Sequence, residues 1–185
     1  MQNILFFGDS LTAGYGLANA AAESFPAIIG QKITAAGLGY RVVNAGLSGD
    51  TSAGGLQRID YWLNQPVSVF VLELGINDVI RGMAPLTTKN NLQTIIDKVK
   101  AKYPNAKMAI MGMQMPVFLH SPVAGQFMQI FTTLAAANNI SLVPFFLDGV
   151  AGVRNLNLPD KLHPNVDGYK VIADNVWPVI QKLLL

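Results

Sequence analysis

Few residues in this sequence have side chains suited to chemistry, and those few gather in short polar blocks between apolar segments. A hydroxyl becomes a useful nucleophile only beside a base, and the usual base is histidine. The chain has two histidines, His120 and His163. His163 follows Asp160 by three residues and precedes Pro164. A D-x-x-H turn held by the following proline brings a carboxylate to the imidazole Nδ1, which fixes the tautomer and stabilises the imidazolium formed during reaction. The same spacing serves equally a helix-start turn in which Asp160 is only a cap. His120, in F-L-H-S-P, has no acid nearby and reads as a loop or helix-entry residue.

The hydroxyl candidate is Ser10, in F-F-G-D-S-L-T-A-G-Y-G. Gly8 is expected to let the backbone turn sharply off a strand, so that the hydroxyl stands at the sheet edge. The Ser10 N–H, near a helix start, can point at a ligand. The plain alternative is that Asp9 or Ser10 simply caps the next helix. Ser48 is the rival serine. Neither serine sits in G-x-S-x-G, which argues against the larger α/β-hydrolase fold and not against serine chemistry. Gly49 can bring its N–H close to a ligand, or can make an ordinary tight turn. Asn77 offers an amide donor, or turn chemistry. A developing oxyanion needs fixed donors of these kinds.

Positioning such groups requires a scaffold. Apolar runs closed by Gly, Asn or Pro recur at Ile4–Phe7, Tyr40–Asn44, Ser68–Leu74, Lys107–Gly112 and Ile140–Phe145. They read as strands buried on both faces. Between them lie helical patterns. Phe25, Ile28, Ile29, Ile33 and Ala36 share one face, and Leu92, Ile95, Ile96 and Val99 share another before Tyr103-Pro104 stops the run. Gln126–Asn138 and Val166–Leu185 read as further helices. Alternating β and α with right-handed crossovers gives a parallel five-stranded sheet with helices on both faces. One domain spanning residues 1–185 is expected, with no linker or repeat. Chemistry in such a fold sits in the loops leaving the carboxyl ends of the strands. Ser10, Gly49, Asn77 and the Asp160–His163 turn all fall there.

Hydrophobic residues make up 51% of the 185 residues and charged residues 13%, which describes a compact globular enzyme rather than a disordered or nucleic-acid-binding chain. The net charge of +2 is scattered and implies no polyanionic partner. Without cysteine there is no disulfide, thiol nucleophile or thiolate metal site. No leader is visible and no apolar run approaches the ~18 residues needed to span a bilayer. The expectation is a soluble protein, either cytoplasmic or the trimmed form of an exported, periplasmic one.

Four ordered blocks, F-G-D-S-L-T-A-G-Y-G, V-N-A-G-L-S-G-D-T, L-E-L-G-I-N-D and D-K-L-H-P, resemble those of the SGNH (GDSL) hydrolases, and most of all the bacterial thioesterase I, lysophospholipase L1 and arylesterase branch. The resemblance covers nearly the whole chain. It implies a flavodoxin-like three-layer α/β/α sandwich and hydrolysis of carboxylic esters or thioesters through an acyl-enzyme. It implies Ser10 as nucleophile, Asp160 and His163 as its partners, and an oxyanion hole made of Ser10, Gly49 and Asn77. Gly46 is the nearby competitor of Gly49. No metal or cofactor is implied, and the partner is a small ester or thioester. The chain departs from the branch at Ile76, where many relatives have Gly, and in Q-M-P-V-F-L-H after the fourth strand. By resemblance Ile76, Met115, Val117 and Phe118 border the acyl site, although they also suit plain loop packing. Two other readings stand beside this one: a carbohydrate O-acetyl esterase of the same family, and a non-catalytic flavodoxin-like domain binding FMN at the same sheet edge.

Overall fold

Ile4, Leu5, Phe6 and Phe7 are all buried although successive strand side chains face opposite ways, so their strand is covered on both sides. In the computed structural model, which describes residues 2–114 and 122–185, this strand is β1 (Gln2–Gly8). It pairs in parallel with β2 (Tyr40–Gly46) on one side and β3 (Val69–Glu73) on the other. β4 (Lys107–Met111) and β5 (Ser141–Val143) continue the sheet in the order β2-β1-β3-β4-β5, all parallel. β3 is buried at every position, whereas the edge strand β2 is largely half-exposed, as its single neighbour dictates.

The helices named here are α1 (Ser10–Ala13), α2 (Ala20–Glu23), α3 (Phe25–Ala35), α4 (Ser52–Trp62), α5 (Ile76–Ile80), α6 (Pro85–Lys102), α7 (Pro122–Asn138) and α8 (Val166–Leu184). α3 packs with α8 on one face of the sheet; α4 packs with α6, and α6 with α7, on the other. This is the expected α/β/α sandwich with flavodoxin-like strand order. The chain reverses its direction of travel across the sheet between β1 and β3, and a crevice opens there outside the carboxyl ends. Ser10 follows β1 and Asn77 follows β3, so the topology alone places them on either side of that crevice.

Element boundaries differ from the sequence expectation where hydrogen-bonding capacity changes. β5 stops at Val143 instead of Phe145 because Pro144 has no N–H to give the ladder. Helix α6 begins earlier than its apolar periodicity, at Pro85, since proline suits the first helical turn. α4 carries a weak helical pattern because Gly54 and Gly55 lower its propensity.

Candidate active site

Asp9 caps α1, its Oδ1 accepting from the Leu11 N–H at 3.0 Å, and Ser10 opens that helix almost buried. Gly8 contributes differently from the sequence expectation. Its φ is not positive; a Cβ there would collide with Thr12 Oγ1 and with the Glu73 side chain and carbonyl, so the missing side chain provides room rather than a turn. Across the crevice, His163 Nε2 lies 2.9 Å from Ser10 Oγ and His163 Nδ1 lies 2.7 Å from Asp160 Oδ2. Asp160 Oδ1 also accepts from the Leu162 and His163 N–H groups, each at 3.0 Å. Asp160 therefore grips its own turn and does not cap α8. That cap is Asn165, whose Oδ1 accepts from Asp167 N at 3.1 Å and Gly168 N at 3.0 Å. The backbone bond from His163, followed by its ring and the Leu162 N–H, outweighs partial desolvation and holds the Asp160 carboxyl down at about 2. A carboxylate facing Nδ1 puts the proton of the neutral ring there and leaves Nε2 as acceptor for the Ser10 hydroxyl.

The candidate donors surround the same point. Gly49 adopts φ 77°, a left-handed turn that suits glycine. Among the described residues the Ser10 and Gly49 N–H groups meet no acceptor, whereas the Gly46 N–H is taken by Asn44 Oδ1 at 2.9 Å. Asn77 Nδ2 donates to Asp9 Oδ2 at 3.0 Å and to the Asp50 carbonyl at 2.9 Å, so both of its hydrogens are engaged. Two acceptors on one atom also fix which end of the amide is nitrogen. Ser48 is exposed, near Gly49, and the His163 ring faces Ser10 instead.

Three residues that sequence reasoning did not single out shape this arrangement. Arg58 Nε pairs with Asp50 Oδ2 at 2.6 Å, its Nη atoms reach the Ala45 and Gly8 carbonyls at 2.8 Å each, and its guanidinium lies 4.0 Å from the Phe7 ring centre. Arg81 Nη2 donates to the Gly49 carbonyl at 2.7 Å. The Tyr15 ring sits 4.5 Å from the His163 ring, centre to centre. Tyr15 was visible as an aromatic within the first block; the two arginines carry no local signal.

A cavity of about 140 Å³ opens at this point, lined by Ser10, Tyr15, Gly49, Ile76, Asn77 and His163 among others. A larger one, of about 910 Å³, shares Leu11, Ile76, Ile80 and Leu162 with it and continues past Val79 and Phe127. Ile76, the first residue of α5, thus stands on the boundary of both. Met115, Val117 and Phe118, together with His120, lie outside the described residues. Among the described residues no cluster of three His, Asp or Glu side chains is arranged to hold a metal ion, and no helix is long and apolar enough to cross a membrane.

The chain is similar to proteins already known. The sequence model of the GDSL-like Lipase/Acylhydrolase family matches residues 6–171. Esterase TesA of Pseudomonas aeruginosa is 38% identical over 184 residues, covering 99% of this chain and 90% of that protein. Thioesterase 1/protease 1/lysophospholipase L1 of Escherichia coli is 36% identical over 184 residues, covering 99% of this chain and 85% of that protein. The crystal structure of the psychrotrophic esterase EstA from Pseudoalteromonas sp., inhibited by monoethylphosphonate, superposes with a TM-score of 0.90 at 32% identity, covering 100% of this chain and 99% of that one. A chain with these four blocks, this strand order and these relatives belongs to the GDSL-like lipase/acylhydrolase family and is an ester hydrolase.

Proposed function

We propose that the chain hydrolyses esters or thioesters of apolar acyl groups through an acyl-enzyme on Ser10. The observation that carries this reading is the alignment Ser10 Oγ to His163 Nε2 at 2.9 Å and His163 Nδ1 to Asp160 Oδ2 at 2.7 Å, in a small cavity that adjoins a larger apolar one. His163 removes the Ser10 proton as the hydroxyl attacks the acyl carbonyl. Asp160 holds the ring in the required tautomer and balances the imidazolium. The oxyanion receives the free N–H groups of Ser10 and Gly49 and one hydrogen of Asn77. Since that amide is fully engaged in the free protein, the oxyanion must take the place of one acceptor; the neutral Asp50 carbonyl yields before the Asp9 carboxylate does. His163 then protonates the leaving alcohol or thiol, and water repeats the sequence on the acyl-enzyme.

The apolar walls beyond Ile76 support an acyl chain longer than acetyl, and the relatives bear esterase, thioesterase and lysophospholipase names. The inhibition of the related EstA by a phosphonate is consistent with a serine nucleophile, because tetrahedral phosphonates mimic the acyl-transfer transition state. Ser10→Ala is expected to abolish turnover of p-nitrophenyl esters while leaving the fold intact. A panel of acyl lengths on one leaving group should show kcat/KM rising from acetyl to longer chains. Full activity in Ser10→Ala, or a maximum at acetyl, contradicts the reading.

A further inference from the structure

Beside the candidate oxyanion site lie two buried acidic side chains to whose protons the mechanism above gives no part. Asp9 is 0% exposed and Glu73, the last residue of β3, is 1% exposed. Glu73 Oε2 accepts from the Thr12 hydroxyl at 2.7 Å and from the Asp9 N–H at 3.2 Å. Glu73 Oε1 is buried and no donor reaches it among the described residues. The Asp9 N–H that meets Glu73 Oε2 ties the two buried acids to one another, so their carboxyl groups share one dry pocket. The bare Gly8 leaves the space for this approach. No cation pairs with either acid among the described residues: the nearby Arg58 is committed to Asp50 and two carbonyls. Two neighbouring carboxylates, out of water and without a counter-ion, do not both stay ionised.

We propose that Glu73 and Asp9 share one proton, with Glu73 as the neutral donor and Asp9 as the carboxylate, and that this pair positions the Asn77 amide as an oxyanion donor. The proposal rests on the acyl-transfer reading above. A proton on Glu73 turns its orphaned oxygen into a donor. Asp9 then spends Oδ1 on the Leu11 N–H and Oδ2 on Asn77 Nδ2, which anchors the amide from below. One negative charge suffices for that anchor. A second would stand next to the negative charge that develops on the substrate oxygen and oppose it.

The surrounding groups agree. Burial pushes Asp9 up to about 6, against the pull of the Leu11 N–H, the Glu73 hydrogen bond and His163, while Asp50 adds to the rise. Burial first, and the Asp9 charge second, push Glu73 well above the usual carboxylate range. Asp9 already accepts from two donors whereas one Glu73 oxygen accepts from none, so the proton the pair keeps sits on Glu73.

The test uses the whole enzyme, an infrared readout and two variants. At about pH 8, where an ordinary carboxyl is ionised, the wild type should show a carboxylic-acid C=O stretch that Glu73→Gln lacks. Glu73→Met should lower kcat about tenfold or more with KM nearly unchanged, because only a transition-state donor is displaced. Glu73→Gln, which keeps one acceptor and supplies a permanent N–H donor toward Asp9, should recover most of that loss. Absence of the acid band in the wild type, or a Glu73→Gln enzyme as impaired as Glu73→Met, overturns the proposal. The infrared band decides the matter even if Glu73→Met does not fold. Full turnover by Ser10→Ala, with the band still present, would instead sink the acyl-transfer reading and leave the shared proton standing.

Discussion

An amide that already donates both hydrogens is an unusual oxyanion ligand, and it makes Asn77 a demanding residue to test. Asn77→Ala should lower kcat by roughly 10²–10³, the usual effect of removing one such donor, with little change in KM. Steady-state kinetics on a single p-nitrophenyl ester checks this, and a loss below about threefold removes Asn77 from the role. Asp160 differs in being exposed, with 42% of its side chain open to water, yet three hydrogen bonds keep it ionised to about pH 2. Asp160→Asn should reduce kcat by at least tenfold and by as much as about 10⁴, through the wrong ring tautomer. Its folded-state pKa is depressed, so the carboxylate's contribution to stability is present above its unfolded value of about 4 and is lost as pH falls through the folded one. The melting-temperature difference between wild type and Asp160→Asn should therefore be present at neutral pH and close as the pH approaches about 2. A difference independent of pH contradicts the assignment.

At the scale of elements, the site is made by loops that follow β1, β2 and β3 and by the turn that leads into α8. Arg58, from α4, ties the first two of these loops together. Its guanidinium joins the ends of β1 and β2 through Gly8 and Ala45, and fixes Asp50, whose carbonyl holds Asn77. Arg58→Met would leave the Asp50 carboxylate, only 6% exposed, without its counter-ion. We expect a loss of about 3–5 kcal/mol in denaturant unfolding, the range for breaking a buried pair from one side, together with a fall in kcat as Asn77 loosens. A variant as stable and active as wild type would show that Arg58 does not organise the loops. The sequence conveyed these elements unevenly. Strands β1 and β3 stood out because burial on both faces makes them continuously apolar. The limit of β5 hung on the single N–H missing from Pro144, and the short helices α1, α2 and α5 offer too few residues for a period. Arg58, Arg81 and the Asp9–Glu73 contact were illegible because each joins positions up to 64 residues apart, and no local pattern encodes that.

For the molecule as a whole, the parallel sheet does one thing for chemistry. It brings four segments spread from Gly8 to His163 to one end of the fold, beside the point where the chain changes direction between β1 and β3. That convergence was legible as soon as the strand order could be inferred, because loop chemistry in such folds collects there. The size and apolar character of the adjoining cavity were not legible, since Leu11, Val79, Phe127 and Leu162 come from four separate elements or loops and meet only in the folded chain. The central claim is that this convergence makes Ser10 a nucleophile that carries the acyl group. The most direct measurement is intact-mass and peptide mass spectrometry after reaction with an alkyl phosphonate ester. One equivalent of label on the peptide bearing Ser10, at a rate that collapses in His163→Ala, is the expected result; an active protein labelled at another residue, Ser48 included, would contradict it.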